Sequence, residues 1–288
     1  MNLQFLQQAV NGMKRDLEEA ITTATFSGED YENGQKAKEA LIRSQGLIFP
    51  IHEVVKVSLA QELKNRGRLF EIHPPLGVTT PELKITGFIK AKDQDVVILF
   101  DGDTAVTEPI QNGPLTGEND FVGWRQSERS IVVGVRSQMS SVAKNFDTLM
   151  ERAFAEALNL RLRMPRLVMG EVYVLPVVEY DDRAMKNEEV AWKQKPVNVA
   201  KFIRTFLAIT HREFADLGST LYKYERSALV LVDFRPPQPR IYLTLEELKA
   251  DALVPNNFQG DYAMLSPNGF TYDLLDRHAA RHPIPNQG

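Results

Sequence analysis

One arrangement of charged residues in this chain could do chemistry. Asp95 stands at the mouth of the apolar run Val96-Val97-Ile98-Leu99-Phe100, and after a polar insert a second run, Ile131 to Val135, leads into Arg136-Ser137-Gln138. Short apolar runs bounded by turn residues read as buried strands. Side chains alternate along a strand, so Gly134, Arg136 and Gln138 lie on one side and Val133 and Val135 on the other. Carboxylate oxygens suit a hard cation such as Mg²⁺. A fixed guanidinium beside them would stabilise charge on a phosphate. Asp95 can supply the first function and Arg136 the second.

Charge along the chain follows the same theme. Between Trp124 and Arg166 there are eight basic residues (Arg125, Arg129, Arg136, Lys144, Arg152, Arg161, Arg163, Arg166) against four acidic ones. The segment just before is acidic, with Asp93, Asp95, Asp101, Asp103, Glu108, Glu118 and Asp120 against Lys92. A cation-dependent enzyme acting on phosphates would need both halves. Arginines flanking an amphipathic helix for solubility give the same count, so charge alone does not choose. The net charge of −4 argues against indiscriminate nucleic-acid binding.

Several familiar sites are excluded. The chain has no cysteine, hence no disulfide, thiol nucleophile or thiolate-bound zinc. It has no phosphate-cradling Gly-x-x-x-x-Gly-Lys-Ser/Thr loop, no dinucleotide-binding Gly-x-Gly-x-x-Gly and no Gly-x-Ser-x-Gly elbow. His52-Glu53 lacks the second histidine of a zinc protease helix, and the five histidines form no cluster in the sequence. The opening residues are amphipathic and lack the apolar centre of a signal peptide, and no run approaches the length of a membrane span. A soluble, cytoplasmic protein is expected.

The elements that must position these residues can be read from periodicity. Helices are predicted over Leu3–Thr23, about Tyr31–Arg43 and Ile51–Lys64, with Gly46 and Pro50 as breakers. From Arg68 the period becomes that of strands: Leu69–Ile72, Leu83–Ile89, Val96–Phe100 and Ile131–Val135, with turn chemistry at Asp101-Gly102-Asp103. Phe146, Leu149, Met150, Ala153, Phe154, Ala157 and Leu158 then form one broad helical stripe. Val168–Val178 is a strand containing Glu171, Val197–Phe214 a helix and Ala228–Asp233 a buried strand. Thr244 with Glu247 makes a capping box. The last 35 residues, rich in Pro, Gly and Asn, read as a loop-rich wrap. The expected fold is α/β, a central mixed sheet flanked by helices.

With that organisation in place, the strand bearing Gln94-Asp95, the hairpin, the strand ending Val-Arg-Ser-Gln and the helix from Lys144-Asn145-Phe146 resemble the catalytic core of the PD-(D/E)xK nuclease superfamily. Size and the helical N-terminal layer are similar to its type II restriction endonucleases. The likeness covers roughly Leu83 to Val178. It implies a helical layer over residues 1–66, a nuclease core over 67–180 and an extension over 181–288 for DNA recognition and dimerisation. It also implies Mg²⁺ as cofactor, double-stranded DNA as substrate, a homodimer, and a companion DNA methyltransferase acting on the same site.

The chain departs from the family pattern twice. Gly134 holds the place of an acid, and Arg136 that of the lysine. Arginine presents a planar fork and does not usefully deprotonate. Some members of the superfamily carry the second acid on the following helix, which makes Glu151 the expected replacement, with Asp147 and Glu171 behind it. An N-terminal helix acid in such nucleases points by analogy to Glu53. Expected site residues are therefore Asp95, Arg136, Glu151 and Gln138 for catalysis, and Asp95, Glu151 and Glu53 for the metal. Lys92, Arg125, Arg129, Lys144, Arg161 and Arg163 are expected to meet DNA, with Lys90 and Arg166 beside them. Gln138 is either a phosphate or metal-water contact or a strand-end cap. Arg136 could instead be a structural ion pair with Asp95 or Glu151. The missing acid at Gly134 motivates the alternative, an inactive nuclease-fold protein that binds DNA or serves as a scaffold.

Overall fold

In the computed structural model, which describes residues 1–100, 105–213 and 218–283, a six-stranded mixed sheet forms the centre of the protein. Its strands are β1 (Phe70–His73), β2 (Val96–Phe100), β3 (Ile131–Ser137), β4 (Val168–Pro176), β5 (Arg226–Asp233) and β6 (Arg240–Tyr242). They lie in the order β6-β5-β4-β3-β2-β1, with β3, β4 and β5 mutually parallel and the other neighbours antiparallel. The α/β class expected from the sequence is what the chain adopts. The predicted turn at Asp101-Gly102-Asp103 lies outside the described residues, as does Phe214.

All residues of β2, β4 and β5 are buried, and β3 is buried from Ile131 to Val135. Unbroken apolar runs are the mark of strands covered on both faces. One face, carrying Val133, Val135, Val172 and Val230, packs on α1 (Leu3–Thr23), α2 (Gly34–Arg43) and α3 (Phe49–Asn65). The opposite face, carrying Val132, Tyr173 and Leu229, packs on α4 (Val142–Arg161) and α5 (Val199–Ile209). The segment beyond residue 180 is part of this sheet, since β5 pairs with β4 along Gly170–Pro176.

Local chemistry accounts for most boundaries. Asn2 caps α1 by accepting from the backbone N–H groups of Gln4 and Phe5, and the Thr244–Glu247 capping box opens the short helix Leu245–Ala250. The C-terminal region differs from the expected wrap. Phe270–Arg281 is a helix, α6, whose Phe270, Leu274 and Leu275 are buried against the sheet. Its prolines lie outside that span, and apolar residues at i, i+4 and i+5 give it one buried stripe. Gly170 makes room for it: a Cβ there would sit 3.0 Å from both Leu274 and Phe270. No helix among the described residues is long and apolar enough to cross a membrane.

Candidate metal and phosphate site

Four elements converge at the β2 entrance. The hairpin of Leu83–Thr86 and Ala91–Gln94 carries Glu82 and Lys92 and runs directly into Asp95. Asn159 of α4 ties its tip down. The Asn159 side-chain oxygen accepts from Ile89 and Lys90 N–H (2.8 and 3.2 Å), and its amide donates to the Lys90 carbonyl at 3.0 Å. Asp95 is fixed in turn, since its Oδ2 accepts the Val135 N–H at 2.6 Å. The carboxylate is thereby held across the gap to β3.

The vacancy left by Gly134 is filled from the next strand. Glu171 of β4 is the register partner of Gly134, and a Cβ on Gly134 would stand 2.4 Å from Glu171 Oε2. A side chain at 134 would have to displace the buried Glu171 carboxylate that lies over this position. Arg136, one pleat along on the same face, has Nε 3.1 Å from Glu171 Oε1, and its other end is bonded to Glu156 of α4, which also pairs with Lys92. The contact with Glu171 is close but poorly aligned, and both Glu171 oxygens lack a directed hydrogen bond.

Burial pushes the Glu171 pKa up to about 7, with Glu156 and Asp95 adding to the shift and Arg136 opposing it. Burial raises Glu156 as well, but Arg136 and Lys92 outweigh it and bring the net shift below the usual carboxylate value. Arg136 is partly stripped of water, yet Glu171 and Glu156 hold its charge more firmly than in solution. The guanidinium is a permanent, immobilised cation.

Over this floor opens a cleft of about 610 Å³ whose walls include His52, Glu82, Asp95, Arg136 and Gln138. A neighbouring cleft of about 650 Å³ shares Lys92, Arg136, Leu149 and Arg152 with it and adds Lys90 and Asn159. The two form a groove with Arg136 at the junction. Within it His52, Glu82 and Asp95 each offer one ligand atom, all within 4.8 Å of one another. Burial raises the Glu82 pKa, and the nearby charges of Asp95 and Asp93 raise it further. Burial lowers that of His52, against the nearby Asp95 charge and a hydrogen bond to the Val135 backbone. Two carboxylates and an imidazole facing one point fit a divalent cation.

The sequence-predicted residues fall into two groups. Asp95, Arg136, Gln138 and Lys92 meet in the cleft. Gln138 does so as a strand-end cap, its amide bonded to the Ser140 carbonyl. Glu151 does not reach it: it is exposed, and the helix acid that faces Arg136 is Glu156. Five residues turn an α-helix by about 140° beyond a full turn, which sends Glu151 to the other flank. Asp147 shares that flank and is exposed beside Lys201. Glu53 pairs with Lys56 at 2.7 Å and accepts the Gly77 N–H, so the residue of α3 that enters the cleft is its neighbour His52.

Of the arginines expected at DNA, Arg161 is fully buried on Glu225, and Arg163 is largely buried against Asp120 and the Thr86 carbonyl. They hold the fold together. Arg129 lies at the far end of β2, where its carbonyl meets His278, whose ring stacks on Phe100. It is therefore roughly a strand length, about 17 Å, from Asp95, and Arg125 lies about one turn before it on the short helix Trp124–Arg129. Lys144 is exposed at the start of α4. Besides Arg136, the basic residues that line the groove are Arg43, Lys90, Lys92 and Arg152.

Sequence reasoning missed Glu156, Glu82 and the role of His52. Glu156 had a signal, standing seven residues after Leu149 on the margin of the apolar stripe. No family model, curated protein or solved structure matches this chain.

Proposed function

We propose that this chain is a Mg²⁺-dependent endonuclease of double-stranded DNA, of the restriction type. The observation that supports it is the meeting, in one basic-rimmed groove, of the Asp95 and Glu82 carboxylates with the immobilised Arg136 guanidinium. Asp95 and Glu82 would hold the ion. A bound divalent cation polarises the phosphate and lowers the pKa of the attacking water.

The protein's own part is electrostatic. Arg136, clamped between Glu156 and Glu171, needs no reorganisation when negative charge builds on the phosphate. Arg43, Lys90 and Arg152 bind the DNA backbone along the groove, contacts that position without reading sequence. Cutting both strands of a symmetric site calls for two centres, hence a homodimer. A companion methyltransferase and a cytoplasmic location complete the reading.

Purified full-length protein incubated with high-complexity duplex DNA and Mg²⁺ is expected to yield discrete fragments, and none in EDTA. Salt-sensitive duplex binding with no hydrolysis in Mg²⁺ or Mn²⁺ would overturn the proposal in favour of an inactive DNA-binding protein.

A further inference from the structure

We infer that His52, Glu82 and Asp95 form a mixed nitrogen and oxygen site for one divalent cation, and that it holds first-row transition ions such as Mn²⁺ and Co²⁺ more tightly than Mg²⁺. Two independent observations converge on it. The first is geometric: three donor atoms, one from α3 and two from the residues that flank the Leu83–Gln94 hairpin, lie within 4.8 Å of one another and line the cleft. Ligands about 2.1 Å from one ion stand roughly 3 Å apart when adjacent and roughly 4 Å apart when opposite, so small side-chain movements close the set.

The second is the state of His52. Its side chain is 6% exposed, and Nε2 is buried with no hydrogen-bond partner. An orphaned buried donor or acceptor is a cost to folding. The edge-on contact with Phe49 explains where the ring packs, and the Val135 backbone hydrogen-bonds to the ring, yet Nε2 is left without a directed partner. Nor does a nearby carboxylate capture it, although Asp95 is close enough to act on the ring electrostatically. A metal ion between the ring and the two acids would engage an imidazole nitrogen and both carboxylates at once.

The donor types then select the ion. Mg²⁺ demands near-regular oxygen coordination and keeps its waters, whereas imidazole nitrogen favours later first-row ions along the series from Mn²⁺ to Cu²⁺. Under this inference Mg²⁺ works at the site when abundant, while a scarcer transition ion binds there first. It rests on the reading of the cleft as a cation-dependent site, but its test contains no DNA. Absent cleavage would overturn that reading and leave ion selectivity standing.

Titrating metal-free full-length protein with Mn²⁺ by calorimetry and electron paramagnetic resonance is expected to show one saturable ion per chain, which Mg²⁺ displaces only at about tenfold or greater excess. His52→Gln should weaken Mn²⁺ binding about tenfold or more and change Mg²⁺ binding by no more than about threefold, because only the nitrogen donor is lost. Glu82→Gln should weaken both ions. Equal affinity for the two ions in the wild type, or unchanged Mn²⁺ affinity in a folded His52→Gln, would overturn the inference. Should His52→Gln fail to fold, Co²⁺ added to the wild type decides: one histidine of the five must show paramagnetically shifted ring resonances, and none shifted would overturn it.

Discussion

Asp95→Asn is expected to lose about three orders of magnitude in the rate of Mg²⁺-dependent duplex cleavage, the loss of several kcal/mol of metal-supplied stabilisation. The variant should fold normally. Asn retains the side-chain oxygen that accepts the Val135 N–H, so the link between the β2 entrance and β3 survives. What it loses is one of the two carboxylate charges facing the proposed ion. DNA affinity should hold, since Arg43, Lys90 and Arg152 are untouched. Single-turnover cleavage, thermal denaturation and duplex binding measured on the same preparation separate these effects. Cleavage within a few-fold of wild type would remove Asp95 from the chemistry.

Arg136→Met is expected to destabilise the protein by about 3–5 kcal/mol at pH 8, the usual result of stripping one partner from a buried ion pair. Glu171 has no solvent to turn to, and its directed hydrogen bonds are already missing. The penalty depends on pH in a definite direction. The Glu171 pKa in the folded protein is already raised to about 7, and Arg136 is what opposes a larger rise.

For a carboxyl whose folded-state pKa lies above its unfolded value, the unfolded chain gives up its proton first. Stability then falls as pH rises from about 4.5 through the folded value. The variant should therefore be closer to wild type at pH 5 than at pH 8, as read by denaturant midpoints. Arg136→Met combined with Glu171→Met should recover all but about 1–2 kcal/mol, because apolar groups of similar size commonly replace a buried pair at little cost. A penalty that ignores pH, or no recovery in the double variant, would mean that the pair is not what holds this part of the sheet.

What the sequence revealed and what it hid divide along the range of the interactions. Apolar runs announced β2, β3, β4 and β5, and helical spacing announced α1 and α4, because each pattern is local. Asp95 and Arg136 could be seen for the same reason: each stands at the end of a run that can only be a strand. The replacement for the acid missing at Gly134 was not local. Glu171, ranked behind Glu151 in the sequence, comes to Gly134 through strand register, and Glu82, not foreseen, reaches Asp95 through a hairpin tied down by Asn159.

Helix phase decided the remaining errors. Glu151 and Glu156 are both acids on α4, but only Glu156 lies on the margin that meets Arg136. On α3 the same logic favours His52 over the adjacent Glu53. The arginines near the end of α4 mislead because charge counting cannot tell an exposed guanidinium from Arg161, buried on Glu225. A tail dense in prolines hid the α6 helix that packs beneath the sheet.

The position of the second carboxylate is where the whole reading is most exposed. The direct measurement is the Mg²⁺ concentration giving half-maximal cleavage in wild type, Glu82→Gln and Glu151→Gln. Because Glu82 shares the cleft with Asp95 and Glu151 faces away, Glu82→Gln should raise that concentration by about tenfold or more, and Glu151→Gln should leave it unchanged. An unaltered Mg²⁺ requirement in Glu82→Gln, or a raised one in Glu151→Gln, would contradict it.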